Sequence, residues 1–255
     1  MQTFVSDGVT LAFRDSGEGR ASKLPVLLIH GFASNSQINW VGPRWFEALE
    51  TAGYRAIAID NRGHGESEKL YDPAAYPSRL MAGDAQRLLD HLGIEQAIVM
   101  GYSMGARISA FLCLDAPERV AAVCFAGLGI NMVRGIGGSE IIAQALRAPS
   151  LSAVDHPVGR AFRAFAEQTK SDREALATCI LASRDPITEE DVQSIRQHAL
   201  VAVGTKDDVS GDGAELVDLL PAGEHLAIER RDHMTAVGDK QYKQGFLAFL
   251  DRHGL

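Results

Sequence analysis

The sequence has few cysteines and lacks both a long apolar run and a basic segment at its beginning. Its three cysteines, Cys113, Cys124 and Cys179, are widely spaced and form no Cys-x-x-Cys pair. An odd number at such spacing favours buried free thiols in a reducing compartment over a disulfide framework. Residues 1–7 show no secretory signal, and the apolar run over 120–130 is too short to cross a bilayer. These absences predict a cytoplasmic protein without a membrane partner.

The sequence also lacks an excess of positive charge. It has 25 Lys and Arg against 33 Asp and Glu, a formal net charge of −8, which argues against a nucleic-acid partner. No His-Glu-x-x-His motif or close Cys/His cluster suggests a metal site. Gly127 and Gly129 follow an apolar run, but Met132 stands where a dinucleotide-binding loop needs its third glycine. We therefore expect no cofactor and no metal, and nothing in the sequence indicates an oligomeric state.

Short apolar runs alternate with helical patterns along most of the chain. A hairpin is predicted over 2–5 and 9–14, where Asp7 and Gly8 supply the turn. Further strands are predicted at 25–30, 54–60, 96–101, 120–126, 198–203 and 226–229. Helical patterns separate them at 45–52, 78–92, 107–114, 213–220 and 236–252. Such alternation predicts an α/β fold, a mostly parallel sheet with helices on both faces.

The segment 131–196 interrupts this alternation because it contains helical pieces, at 139–147 and 160–168, but no strand pattern. An insertion that follows the end of a strand is where a lid over a site would lie. We therefore predict a helical cap over 131–196 and a core made of 1–130 and 197–255. A few ordinary packing helices are the alternative interpretation. Phe162 and Phe165 either line a substrate pocket or anchor the lid.

The stretch 96–114 joins an apolar run, a Gly-x-Ser-x-Gly turn and a helical pattern. A sharp turn between strand and helix forces its central residue into a strained conformation, and Gly101 and Gly105 remove side chains that would clash there. The turn would expose Ser103 Oγ above the sheet at a helix N-terminus. This arrangement is typical of a nucleophile elbow, although three fixed residue types are weak evidence without partners elsewhere.

Partners are found at the ends of other strands. Ligands of open α/β sheets bind outside the carboxyl ends of the strands, where Asp207 and His233 follow the last two predicted strands. The order Ser, Asp, His is the one expected when an elbow carries the nucleophile. His233 would act as general base for Ser103, and Asp207 would orient His233. The backbone N–H groups of Phe32 and Met104 would form the oxyanion hole.

Taken together, these motifs resemble the α/β-hydrolase superfamily. The resemblance covers nearly the whole chain and rests on five stretches: His30-Gly31-Phe32, residues 60–67 (DNRGHGES), residues 101–105 (GYSMG), residues 204–207 (GTKD) and His233. It implies an eight-stranded, mostly parallel sheet with helices on both faces and a helical cap over 131–196.

The resemblance also bears on individual residues. It implies that Asp60, Arg62 and His64 belong to a structural turn beside the oxyanion loop. Some members of the superfamily carry the acid after the preceding strand, but residues 126–131 contain no carboxylate, which favours Asp207. Asp208 stands where many relatives have proline and is the alternative acid. Asp232, where relatives often have glycine, is either a partner of the triad or a solvated loop charge.

These residues together predict a serine hydrolase that cleaves a small carboxylic ester through an acyl-enzyme, with a small-molecule ester-like substrate as its partner. A serine at the elbow argues against the haloalkane dehalogenase and epoxide hydrolase branches, which use aspartate there. Lactone hydrolysis, carbon–carbon bond hydrolysis and acyl transfer on the same triad remain alternatives. A ligand-binding protein of the same fold without catalysis is a further one.

Overall fold

The computed structural model describes residues 1–17, 19 and 23–255. Over these residues it contains one sheet of eight strands: β1 (Gln2–Ser6), β2 (Val9–Asp15), β3 (Val26–Ile29), β4 (Ala56–Ile59), β5 (Ala97–Tyr102), β6 (Val120–Ala126), β7 (His198–Gly204) and β8 (Gly223–Ile228). Their spatial order is β1-β2-β4-β3-β5-β6-β7-β8. β2 is antiparallel to both of its neighbours, and all pairings from β4 through β8 are parallel. The predicted eight-stranded, mostly parallel sheet is confirmed.

The central strands form where the sequence is a continuous apolar run. The first two strands form a hairpin on either side of a tight turn. β3 and β4 are buried at every residue, as expected for central parallel strands covered on both sides. The hairpin turns at Asp7 (φ 47°) and Gly8 (φ 79°). β8 begins three residues before the predicted start, because this edge strand is partly exposed and opens with Gly223 and Glu224, which give no apolar signal.

Helices cover both faces of the sheet. They are α1 (Trp45–Thr51), α2 (Ser78–His91), α3 (Met104–Asp115), α4 (Asn131–Arg134), α5 (Ser139–Arg147), α6 (Pro157–Gln168), α7 (Arg173–Ala182), α8 (Glu189–Ser194), α9 (Gly213–Leu219) and α10 (Lys240–Arg252). Leu88 of α2, Ile108 of α3 and Leu216 of α9 pack in the core on one face. Trp45 of α1 and Phe246 of α10 pack on the other. The core therefore lies in two layers, one on each side of the sheet.

Segment 131–196 contains only helices among its regular elements, and they divide into two groups. α5, α6 and α7 share a separate apolar cluster that includes Leu146, Ala166 and Leu176. Val192 of α8 and Ile195 belong instead to the main core beside the sheet. The separate helical layer covers α5 to α7, within the segment of the predicted cap.

Two expectations drawn from absences can be compared with the structure. Cys113, Cys124 and Cys179 are all buried and unpaired, as predicted. In the described part of the chain, none of the helices has both the length and the hydropathy that a membrane span requires.

Candidate active site

Ser103 occupies the turn between β5 and α3. Its backbone lies at φ 55° and ψ −110°, a region that residues other than glycine rarely adopt. The Ser103 N–H donates a 2.7 Å hydrogen bond to the carbonyl of Ala126 at the end of β6, which holds the turn against the sheet. The sequence prediction of a strained strand–turn–helix therefore agrees with the local geometry.

The two glycines of the turn allow close backbone approach on different sides. A Cβ at Gly101 would lie 2.1 Å from the carbonyl oxygen of Gly105, so Gly101 must be glycine for α3 to begin there. A Cβ at Gly105 would lie 2.0 Å from the carbonyl oxygen of Ile29 on β3. Gly101 is thus required by the backbone of Gly105, and Gly105 by the neighbouring strand.

Three residues that are distant along the chain meet above this turn. Ser103 Oγ lies 3.0 Å from Nε2 of His233, which follows β8. Nδ1 of the same imidazole lies 2.9 Å from Oδ2 of Asp207, which follows β7. The structure thus brings the three predicted residues into one continuous chain of hydrogen bonds.

The carboxylate of Asp207 is fully buried and held in place on both oxygens. Oδ1 accepts the N–H groups of Val209 and Ser210, each at 2.9 Å, and Oδ2 accepts the Ser210 hydroxyl at 2.6 Å. Burial opposes ionisation, but the hydrogen bonds from His233 and Ser210 outweigh it and hold the pKa of Asp207 below its ordinary value. Asp207 therefore stays ionised and fixes the Nδ1–H tautomer of His233.

The acidic neighbours of these residues do not share their position. Asp208 is exposed at the mouth of the adjacent cavity, and the contact with the imidazole is made by Asp207. The Asp232 carboxylate accepts the backbone N–H groups of Met234 and Thr235 and the hydroxyl of Thr235. Asp232 thus stabilises its own loop, which agrees with its interpretation as a loop charge and not with that of a partner of the triad.

The loop that follows β3 brings Phe32 close to Ser103. Phe32 and Met104 both line the cavity that Ser103 opens into. Neither backbone N–H has a protein acceptor among residues 1–17, 19 and 23–255. The loop is held in place by a hydrogen bond, since the Gly31 N–H donates to Asn39 Oδ1 at 2.8 Å. The residues of both unpaired donors thus line the same cavity as Ser103, and the oxyanion hole stays a prediction.

Asp60, Arg62 and His64 serve the framework, as the resemblance implied. Asp60 accepts backbone N–H groups with both oxygens, and Arg62 forms a buried ion pair with Asp84. His64 is buried against the Phe32 ring, with centroids 5.8 Å apart. Burial is the main cause that lowers the pKa of His64 to about 3, so it stays neutral.

A cavity of about 420 Å³ lies between the sheet edge and the helical layer α5–α7. Ser103 and His233 line it together with apolar side chains from both layers, namely Leu128, Ile136, Ile142, Phe162, Phe165 and Ile180. The two phenylalanines line the cavity and also pack on the apolar cluster of α5–α7, so both roles considered for them are filled. The site is therefore a mainly apolar pocket with a reactive group at one end.

Sequence reasoning missed several polar residues of this site. Tyr102 donates its hydroxyl to the backbone carbonyl of His233 at 2.5 Å. Arg107 and Arg184 line the cavity. Arg107 was detectable, because it lies four residues after Ser103 in an otherwise apolar helix. Arg184 and the Tyr102 contact depend on loop positions and gave no pattern.

A family model described as alpha/beta hydrolase fold matches residues 25–134, the part that holds β3 to α4 and the turn at Ser103. The enol-lactonase from Burkholderia xenovorans superposes on the chain with a TM-score of 0.81 at 22% identity, covering 98% of this chain and 100% of that one. The chain therefore has the α/β-hydrolase fold. A meta-cleavage product hydrolase from Pseudomonas fluorescens shares the fold at a TM-score of 0.78 and 20% identity, covering 99% of this chain and 98% of that one.

A curated relative with higher identity matches over a shorter stretch. Epoxide hydrolase 2 of Siraitia grosvenorii is 34% identical over 132 residues, which are 52% of this chain and 39% of that protein. The chain therefore spans well under half the length of this relative. The α/β-hydrolase relatives thus comprise several hydrolase activities.

Proposed function

We propose that this protein is a serine hydrolase that cleaves a small carboxylic ester through an acyl-enzyme intermediate. The observation that carries the proposal is the hydrogen-bonded chain from Ser103 through His233 to Asp207, with distances of 3.0 and 2.9 Å, at the end of an apolar cavity. A serine hydroxyl is a weak nucleophile at neutral pH and needs an adjacent base. His233 is that base in this proposal.

In the first half of the reaction, Ser103 Oγ attacks the ester carbonyl while His233 Nε2 takes the hydroxyl proton. Asp207 holds Nδ1–H and stabilises the imidazolium that forms. The tetrahedral intermediate places its negative oxygen near the N–H groups of Phe32 and Met104. Each such donor contributes a factor of roughly 10²–10³ in comparable enzymes. Collapse breaks the bond to the alcohol, which leaves with the proton from His233.

In the second half, water enters beside the acyl-enzyme and gives its proton to His233 Nε2 as its oxygen attacks the same carbonyl. Collapse of the second intermediate breaks the bond to Ser103 Oγ, which regains the proton, and the carboxylic acid is released. The same two steps open a lactone, whose ester bond is internal. Acyl transfer differs only in the nucleophile that resolves the acyl-enzyme.

The alternatives are ordered by what they require of Ser103. Lactone hydrolysis uses the steps above unchanged, and an enol-lactonase is among the structural neighbours. Carbon–carbon bond hydrolysis also uses the triad but requires a carbanion leaving group. Epoxide opening needs a carboxylate at the elbow, where this chain has a serine. A ligand-binding role without catalysis would not explain why His233 lies within hydrogen-bond distance of both Ser103 and Asp207.

A fluorophosphonate probe, combined with a panel of esters, lactones and diketones, tests the proposal. We expect stoichiometric labelling of Ser103 and turnover of short-chain esters that prior labelling abolishes. Ester turnover that survives complete labelling would refute it. Turnover restricted to the diketones would replace it with carbon–carbon bond hydrolysis. The proposal includes a reducing, cytoplasmic location, which the three unpaired cysteines support.

A further inference from the structure

Two arginines line the cavity where the helical layer α5–α7 meets the core. Arg107 comes from the core, on α3, one turn after Ser103. Arg184 comes from the other side, in the loop that follows α7. Arg107 Nη1 donates a 2.8 Å hydrogen bond to the carbonyl of Asp185, the residue next to Arg184. The two side chains are therefore close neighbours on one wall of the cavity.

Neither of these arginines has a carboxylate partner within 4.0 Å in the described part of the chain. Within the residues that the structure describes, Arg107 is bound only by the carbonyls of Asp185 and Asn131, and Arg184 only by those of Ile136 and Gly137. Two fully buried arginines elsewhere do have carboxylate partners. Arg62 pairs with Asp84, and Arg163 pairs with Glu167. Arg107, which is itself buried, thus departs from the usual pairing of buried charge, and Arg184 is half-buried.

Among the described residues the nearby carboxylates form no ion pair with either arginine, and Asp185 and Glu140 act on them only through longer-range electrostatics. Asp185 accepts the Ser78 N–H with its side chain, and Glu140 is exposed. Asp208 is an exposed residue of the cavity lining. The charged side chains that line the cavity are thus the two arginines and Asp208.

The charges of both arginines are poorly solvated. Burial, and then the neighbouring charge of Arg184, lower the pKa of Arg107 to about 10, while Asp185 opposes the shift. Burial likewise lowers the pKa of Arg184. Both groups still carry their charge at neutral pH, so two cations lie close together in a partly desolvated site. An anion placed between them would relieve this cost.

Each guanidinium also keeps N–H donors that are free to bind a ligand. A guanidinium has five N–H groups, and the carbonyl contacts occupy only Nη1 and Nη2 of Arg107 and only Nη1 of Arg184. The planar fork of donors matches the two oxygens of a carboxylate. The remaining lining is mainly apolar and suits a short hydrocarbon chain between the charge and the ester.

We propose that Arg107 and Arg184 form a subsite for a carboxylate carried by the substrate, so that the enzyme acts on the half-ester or lactone of a dicarboxylic or hydroxycarboxylic acid. This inference rests on the proposed function, because it specifies the substrate class of the same site. The carboxylate can belong to the acyl part or to the alcohol part, and the experiment separates the two.

Matched substrate pairs that differ only in charge test the subsite. For the acyl side we compare 4-nitrophenyl hydrogen adipate with the corresponding adipamic ester, after subtracting the spontaneous rates. For the alcohol side we compare the acetate esters of 4-hydroxybutanoate and 4-hydroxybutanamide. The pair that carries the carboxylate on the side that the subsite binds is expected to show a kcat/KM about 10- to 100-fold higher for the anion than for the amide, which is the effect of a charged hydrogen bond.

Substitutions then assign this preference to the arginines. Arg107→Gln and Arg184→Gln are each expected to reduce it by about 10-fold or more, and Arg184→Lys is expected to retain part of it. Arg173→Gln is the matched control. Arg173 is a half-buried arginine of α7 that binds the carbonyls of Leu146 and Ala148 but does not line the cavity, so its loss should leave the preference unchanged. Thermal unfolding verifies that each variant folds.

A binding measurement tests the carboxylate subsite independently of ester cleavage. Monomethyl adipate is expected to bind Ser103→Ala protein in calorimetry, and the Arg184→Gln change in that background should weaken binding by about 10-fold or more. Equal binding would overturn the subsite, as would hydrolysis without any anion preference. If binding depends on Arg184 but no ester is cleaved, the subsite stands and the proposed function fails.

Discussion

The hydroxyl of Tyr102 donates a hydrogen bond to the backbone carbonyl of His233 across 2.5 Å. Tyr102 directly precedes Ser103, so one contact links the end of β5 to the loop that carries the imidazole. Burial raises the pKa of this phenol, so the hydroxyl stays protonated and remains a donor. We infer that this hydrogen bond from Tyr102 fixes the position of His233 relative to Ser103.

The change Tyr102→Phe tests this positioning role. We expect kcat to fall by about 10-fold or more with little change in KM, because a small displacement of the base is costly to the reaction. Stability should fall by about 1–2 kcal/mol through the lost buried hydrogen bond. Steady-state kinetics and denaturant unfolding measure the two effects.

Tyr76→Phe is the control for that substitution. Tyr76 is also buried and donates its hydroxyl to a backbone carbonyl, that of Leu70, at 2.6 Å, but it lies outside the cavity lining. It should lose similar stability while kcat is retained. Equal losses of kcat in the two variants would show that the Tyr102 effect is a general consequence of destabilisation.

The two adjacent aspartates should differ sharply. Asp207→Asn is expected to lower kcat by roughly 10³–10⁴, because an amide in this position favours the wrong imidazole tautomer. Asp208→Asn removes an exposed carboxylate at the cavity mouth and should change kcat by less than about 3-fold for a neutral ester. Parallel assays on a short-chain neutral ester measure both. A larger loss at Asp208 would transfer the acid to that residue.

His64 should make stability depend on pH. Its pKa is about 3 in the folded protein against an ordinary 6.5, so the unfolded chain binds more protons between these values. Stability must therefore fall as the pH decreases from about 6.5 towards 3. Denaturant unfolding of His64→Gln at pH 4 to 6 should show a slope smaller by about 1 kcal/mol per pH unit than that of the wild type. An unchanged slope would contradict a neutral buried His64.

The turn itself makes a prediction about stability. Gly105→Ala places a methyl group 2.0 Å from the carbonyl oxygen of Ile29, which cannot yield without moving β3. We expect a loss of about 3 kcal/mol or more, or no folded protein. At Gly137 a Cβ meets no atom within 4 Å, so Gly137→Ala should remain within about 1 kcal/mol of the wild type. Similar unfolding midpoints for the two variants would contradict the close approach of α3 and β3.

The sequence indicated the positions of Ser103, Asp207 and His233 because parallel strands end at one edge of the sheet. A residue type suited to each chemical role followed a separate strand, so the topology alone implied that they meet. The short, continuous apolar runs predicted the sheet, because strands that are apolar on both faces are typical of a parallel sheet covered by helices on both sides.

Other features left no such pattern. α7 was not predicted, because Leu176, Cys179 and Ile180 are buried on several sides and give little amphipathic periodicity. The position of Arg184 depends on how α5–α7 sit over the sheet, which is set by contacts between distant residues such as Phe32 and Phe162. Only the folded structure could bring Arg184 beside Arg107.

The central claim is that Ser103 forms the covalent intermediate. Mixing the protein with 4-nitrophenyl acetate, quenching within the first turnovers and determining the mass of the peptides tests it most directly. We expect an added acetyl group on Ser103, and for Ser103→Ala no adduct and a fall in kcat/KM of about 10⁴-fold or more with the fold intact. An acetyl group on another residue, or turnover that survives in Ser103→Ala, would contradict the account.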